Sequence, residues 1–138
     1  MKTSKLLLGT VVGGVVYFSL GFIVYGFLMK YSMANSPMGS IMRAEADTQW
    51  WAAILSNLLT GFFLTWVFGR WANVKTLMGG VTAGAIIGVL ISAAYDLGFY
   101  AWTTLFTLKD VGMDVVMSAV FFAITGGVIG WVLGMGKE

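Results

Sequence analysis

The chain has 138 residues, of which 59% are hydrophobic and only 10% charged, with 19 glycines, no cysteine and no histidine. Soluble domains are about 25% charged, so this composition belongs in a bilayer, and a net charge of +2 on scattered basic residues gives no reason to expect nucleic acid. Without His or Cys, the usual zinc and haem sites, Ser–His and Cys–His nucleophiles, disulfides and redox thiols are excluded, so no metal or cofactor is expected.

Crossing hydrocarbon as a helix takes about 20 apolar residues. The opening Met1-Lys2-Thr3-Ser4-Lys5, followed by Leu6-Leu7-Leu8, has the outline of a signal peptide. The apolar run continues to Met29, however, and no Ala-x-Ala site follows within reach. Residues 6–29, between Lys5 and Lys30, therefore read as a first transmembrane helix. Residues 50–68 make a second, residues 77–108 a third that carries Asp96, and residues 115–135 a fourth between Asp114 and Lys137. These are continuous apolar runs, which argues against a β-barrel. The expected fold is an all-α membrane protein, one transmembrane domain over residues 1–138 with four spans.

The outer loop, residues 30–49, is the one sizeable polar segment. Ser36-Pro37 reads as an N-cap with proline at the first helical position, and Met38, Ile41, Met42 and Glu45 suggest a short amphipathic helix at the interface. Met33, Met38 and Met42 could rest among headgroups or form an adaptable contact surface. Residues 109–114 read as a tight outer turn with N-cap candidates. Four spans put Lys2, Lys5, Arg70, Lys75 and Lys137 on one side, against Lys30, Arg43 and Lys109 on the other. That bias predicts both termini in the cytoplasm. Trp50, Trp51 and Trp102 then fall at outer ends and Trp66, Trp71 and Trp131 at inner ends, as an aromatic belt.

Leu20-Gly21-Phe22-x-x-Tyr25-x-x-Leu28 recurs as Leu97-Gly98-Phe99-x-x-Trp102-x-x-Leu105, an offset of 77. Thr60-Gly61 with Trp66-Val67-x-Gly69 recurs as Thr125-Gly126 with Trp131-Val132-x-Gly134, an offset of 65. These matches predict two repeated helical hairpins, about 6–70 and 77–136, related by a pseudo-twofold axis along the membrane normal. A duplicated hairpin is also simply an economical way to build a four-helix bundle. By the 77-residue offset Asp96 is the counterpart of Ser19, about 20 Å from the inner end of its helix. If the third span starts near Leu77 instead, Asp96 approaches the outer interface and loses interest.

Gly80, Gly84 and Gly88, Gly126, Gly130 and Gly134, and the shorter pair Gly9 and Gly13 follow the small-xxx-small pattern that lets helix backbones approach in lipid. The two long rows suit packing of the third helix on the fourth, or a contact between copies. Stepping by fours from Gly80 leads through Ser92 to Asp96 and Tyr100, a slanted ridge that would turn Asp96 toward protein. An intramembrane carboxylate costs a few kcal/mol and usually faces a bundle interior or wet cavity. Asn57, Thr60, Ser92, Tyr17, Ser19 and Tyr95 are its hydrogen-bonding candidates. Two readings follow, a proton- or cation-responsive site at Asp96 helped by Asn57, or a packed carboxyl that only fixes the helices.

The segment Leu20-Gly21-Phe22-x-x-Tyr25-Gly26-x-Leu28-x-Lys30, followed by a polar outer loop, resembles a family of small four-helix bacterial membrane proteins known only as a domain of unknown function. The resemblance covers nearly the whole chain in length and span arrangement. It implies the fold and a bacterial inner membrane, and transfers no site residue. Two functional classes fit the residues. One is an accessory or assembly subunit acting through helix packing, in a homo-oligomer or larger complex; the other is a small transporter or channel lined by Asp96 and Asn57. An enzyme is not expected, because a lone intramembrane carboxylate lacks a second catalytic group at an evident spacing.

Overall fold

The computed structural model describes residues 1–136, so Lys137, counted above among the basic residues, lies outside the described residues. There is no strand among them, and helices long and apolar enough to cross a membrane cover Thr3–Leu28, Trp50–Trp71, Leu77–Trp102 and Leu108–Gly134. The chain is a four-span, all-α membrane protein. We label the α-helices α1 (Thr3–Ile23), α2 (Lys30–Ala34), α3 (Trp50–Trp66), α4 (Leu77–Trp102) and α5 (Leu108–Gly134).

Both α1 and α3 close on a π-helical turn, Val24–Leu28 and Val67–Trp71 respectively. After the second of these, Asn73 reverses the chain at φ 49°, a left-handed conformation that Asn tolerates better than most residues. The Thr76 hydroxyl then accepts the Gly79 N–H at 3.0 Å and caps α4. At the other end, α4 stops at Trp102, short of the expected residue 108, and α5 starts at Leu108 instead of residue 115. The physical reason is a capping box: the Thr107 hydroxyl accepts the Asp110 N–H at 3.2 Å while the Asp110 carboxylate accepts the Thr107 N–H at 2.9 Å. The turn is therefore residues 103–107, and residues 109–114 are helix. The outer loop also departs from expectation. It folds as α2 plus two 3₁₀ turns, Pro37–Ile41 and Glu45–Asp47, without an amphipathic helix. Ser36 leaves the cap position unused because its hydroxyl donates to the Met33 carbonyl at 2.7 Å.

Two close-packed hairpins result, α1 with α3 and α4 with α5. On α4 the buried residues are Gly80, Gly84, Gly88, Ser92 and Asp96, and the ridge turns outward at Tyr100. A Cβ at Gly80 would collide with the Gly126 carbonyl, and one at Gly84 with the Phe122 carbonyl. Gly130 sits against the Thr76 carbonyl and Gly134 against that of Lys75. In the first hairpin Gly61 sits against the Thr10 carbonyl and Gly14 against that of Asn57. The approaches of Gly61 to the Thr10 carbonyl and of Gly14 to the Asn57 carbonyl are thus of the same kind as those of Gly126 to Gly80 and of Gly84 to Phe122. The 77-residue offset does not describe these crossings, and because α4 starts at Leu77, Asp96 lies only about 9 Å from the Trp102 end of the helix, toward the interface and not deep in the span.

Between hairpins the contact runs through α1 and α5, with α3 touching α5 more lightly. A twofold axis exchanging α1 with α4 and α3 with α5 would copy the α1–α5 contact onto α3 and α4, which barely touch. The hairpins therefore pack around α5, the most buried span. Leu64 and Phe68 of the α3 span meet Phe122, Ile129 and Leu133 of α5 there, flanked by Met1 and Tyr17. The Lys5 ammonium donates to the Leu133 carbonyl at 3.1 Å, so the start of α1, the loop after Trp71 and the end of α5 share one end of the bundle.

Candidate functional site

Asp96 is 7% exposed and stands one helical turn beyond Ser92, also 7% exposed, on the face that α4 turns to α5. Facing them is Asp114, two turns into α5. The Ser92 hydroxyl lies 2.8 Å from Asp96 Oδ2 and 3.0 Å from Asp114 Oδ2. From the π turn after α1, the Tyr25 hydroxyl donates to Asp114 Oδ1 at 3.2 Å. The π turn delivers it: widening the helix at Val24–Leu28 lets the Met29 N–H reach the Val24 carbonyl at 2.7 Å and carries Tyr25 to the α5 side. Tyr17 completes the wall. Its ring meets Phe121 and Phe122 edge-on at 5.9 and 5.2 Å, Tyr25 meets the same Phe121 at 5.9 Å, and Tyr17 is within electrostatic reach of Asp114.

Proton counting sets the chemistry of this cluster. Ser92 has one hydroxyl proton and two carboxyl oxygens at hydrogen-bonding distance. It can donate to only one of them. The second contact is satisfied when a further proton sits on a carboxyl, or when a cation lies between the two acids. Like charges held this close otherwise repel.

Asp114 also lines a cleft of about 410 Å³ that opens at the outer-loop end. Five methionines, Met29, Met33, Met38, Met113 and Met117, form much of its wall, with Phe106 and Asp110 among the remainder. Asp96 lies behind Asp114, one serine away from the cleft.

Of the residues expected around Asp96, the fold gathers Ser92 and Tyr17 and leaves the others elsewhere. Asn57 does not approach Asp96; it donates to the Ala53 carbonyl at 2.6 Å and lines a small groove between α1 and α3 with Gly14 and Phe18. That follows from α3 packing on α1 and barely meeting α4. Ser19 is exposed and bonds the Val15 carbonyl at 2.8 Å. Thr60 bonds the Ser56 carbonyl of its own helix, and Tyr95 is 69% exposed. Met42 points away at 52% exposure, and Lys30 pairs with Glu45 at 3.0 Å. The residues that sequence reasoning missed are Asp114 and Tyr25. The signal for Asp114 was present in Thr107 and Asp110, whose spacing starts a helix seven residues earlier than hydropathy alone does. No match was found when the chain was compared with protein-family models, curated proteins and solved structures.

Proposed function

We propose that this chain is a small transporter or channel whose working site is a proton- or cation-responsive acidic pair, Asp96 and Asp114. The observation that supports this reading is the Ser92 hydroxyl lying between two carboxyls at the foot of a cleft. One added proton or monovalent cation completes the trio, and its loss leaves two carboxylates in mutual repulsion. The opposite half of the bundle is closed by the glycine crossings of α4 on α5, so the site communicates with one side of the membrane. The basic residues at the other end, Lys2, Lys5, Arg70 and Lys75, favour cytoplasmic termini, and the family resemblance favours a bacterial inner membrane. In proteoliposomes the wild-type chain should dissipate an imposed proton, sodium or potassium gradient faster than protein-free vesicles, and Asp96→Asn and Asp114→Asn should each abolish the gain. Equal decay with and without protein would remove the reading.

One observation favours a second reading, an accessory subunit that packs on a partner helix. A Cβ added at Gly21 or Gly98, the glycines of the recurring Leu-Gly-Phe motif, would meet nothing within 4 Å, and both lie beside exposed Phe22 and Phe99. Small residues facing lipid gain nothing unless another helix approaches. Purification in a gentle detergent separates the two readings: a stoichiometric companion of different sequence supports the subunit, and a homo-oligomer alone supports transport.

A further inference from the structure

We propose that the methionine-walled cleft binds a lipophilic monocation, an apolar body carrying one positive charge such as a substituted ammonium or phosphonium, with that charge against Asp114. The proposal rests on the acidic-pair reading and adds its ligand class. Size comes first, because a cleft of about 410 Å³ lies within the range of small-molecule sites, roughly 300–1,000 Å³. The wall comes second. Thioether side chains are unbranched and polarizable, and they reshape around different apolar bodies. Charge comes third: the ionisable side chains lining the cleft are Asp110, Asp114 and the Tyr25 phenol, with no Lys or Arg among the described lining residues. Tyr25 and Phe106 add aromatic rings to the lining, a type of group whose face attracts a cation.

The same features disfavour a hard metal ion. Calcium and magnesium require six or more oxygens, and no group of three or more carboxylate, imidazole or thiolate side chains gathers among the described residues. A large organic cation, already weakly hydrated, gives up little when it enters such a wall.

Because a proton shared by the acidic pair removes negative charge that would hold the cation against Asp114, binding should weaken as pH falls. The groups facing Asp114 are Asp96 and Ser92 from α4, Tyr17 from α1, Tyr25 from the π turn that follows it, and Asp110 one turn earlier on α5. The experiment is equilibrium dialysis of tetraphenylphosphonium against the purified full chain in detergent, between pH 5 and pH 8. Saturable binding near one per chain, weaker at the acid end than at pH 8, is the expected result. Asp114→Asn should lose at least tenfold, whereas Asp114→Glu, which keeps the charge, should stay within a few-fold. Circular dichroism checks that each variant remains helical, and Phe106→Ala, on the loop side of the cleft, should also weaken binding if Asp114→Asn does not fold. Equal binding to wild type and Asp114→Asn would mean nonspecific partition and overturn the proposal. So would silver ion binding, lost in Met33→Leu, in the absence of tetraphenylphosphonium binding. If tetraphenylphosphonium does not bind but proteoliposomes still conduct through Asp96 and Asp114, the ligand class alone fails. If it binds as expected and no gradient decays, the transport reading alone fails.

Discussion

A Cβ at Gly84 would run into the Phe122 carbonyl, whereas one at Gly98 would meet nothing within 4 Å. Backbone cannot rotate out of the way as a side chain can, so the two glycines answer differently to the same change. Gly84→Leu should destabilise the bundle by about 1–3 kcal/mol through overpacking. Gly98→Ala should stay within about 0.5 kcal/mol, as surface changes usually do. Reversible unfolding in mixed detergent micelles measures both. The same crossing explains why Ser92 and Asp96 meet Asp114: once Gly80, Gly84 and Gly88 bring α4 onto α5, the next two positions on that ridge are carried into the interface. The small residues and the polar pair are one continuous surface, close-packed at one end and polar at the other.

At the scale of elements, the start of α5 decides whether the site exists. Thr107 and Asp110 cap each other reciprocally and place Asp114 within a helix, about 9 Å from its beginning at 1.5 Å per residue. Thr107→Ala should cost about 1 kcal/mol in the same unfolding measurement, since it removes a side-chain cap. The four spans were legible in the sequence because each is a long run with few charges, and that signal survives any detail of packing. Their ends were not. Leu105 and Phe106 continue the apolar run through the turn between α4 and α5, so hydropathy passes over Thr103 and Thr107 without registering them. Asp96 was legible as the one acid inside a run, and Asp114 was not, because it resembled a boundary. The repeat register misled for a related reason. Leu20-Gly21-Phe22 and Leu97-Gly98-Phe99 match by letter but neither glycine packs within the chain. The carbonyls that glycines do approach, those of Thr10, Asn57, Phe122 and Gly126, touch through backbone and need not share a side chain.

For the molecule as a whole, Met1, Asn73 and Gly134 lie at one end and the loop containing Ser40 at the other. The chain has no native cysteine, so single cysteines report sidedness cleanly. In intact cells Ser40→Cys should react with an impermeant maleimide, and Asn73→Cys should react only after the membrane is opened; the reverse pattern would invert the proposed orientation. The contrast between the two ends also sets a kinetic scale. To widen the cleft, unbranched methionine side chains need only change rotamers, a motion of picoseconds to nanoseconds at exposed sites. To widen the opposite end, Gly80 and Gly126 would have to part backbone from backbone, a collective displacement on the microsecond to millisecond scale. Under the proposed function a ligand would therefore come and go at the cleft many times while the helix crossing stays shut, and the slow step of passage would belong to the glycines.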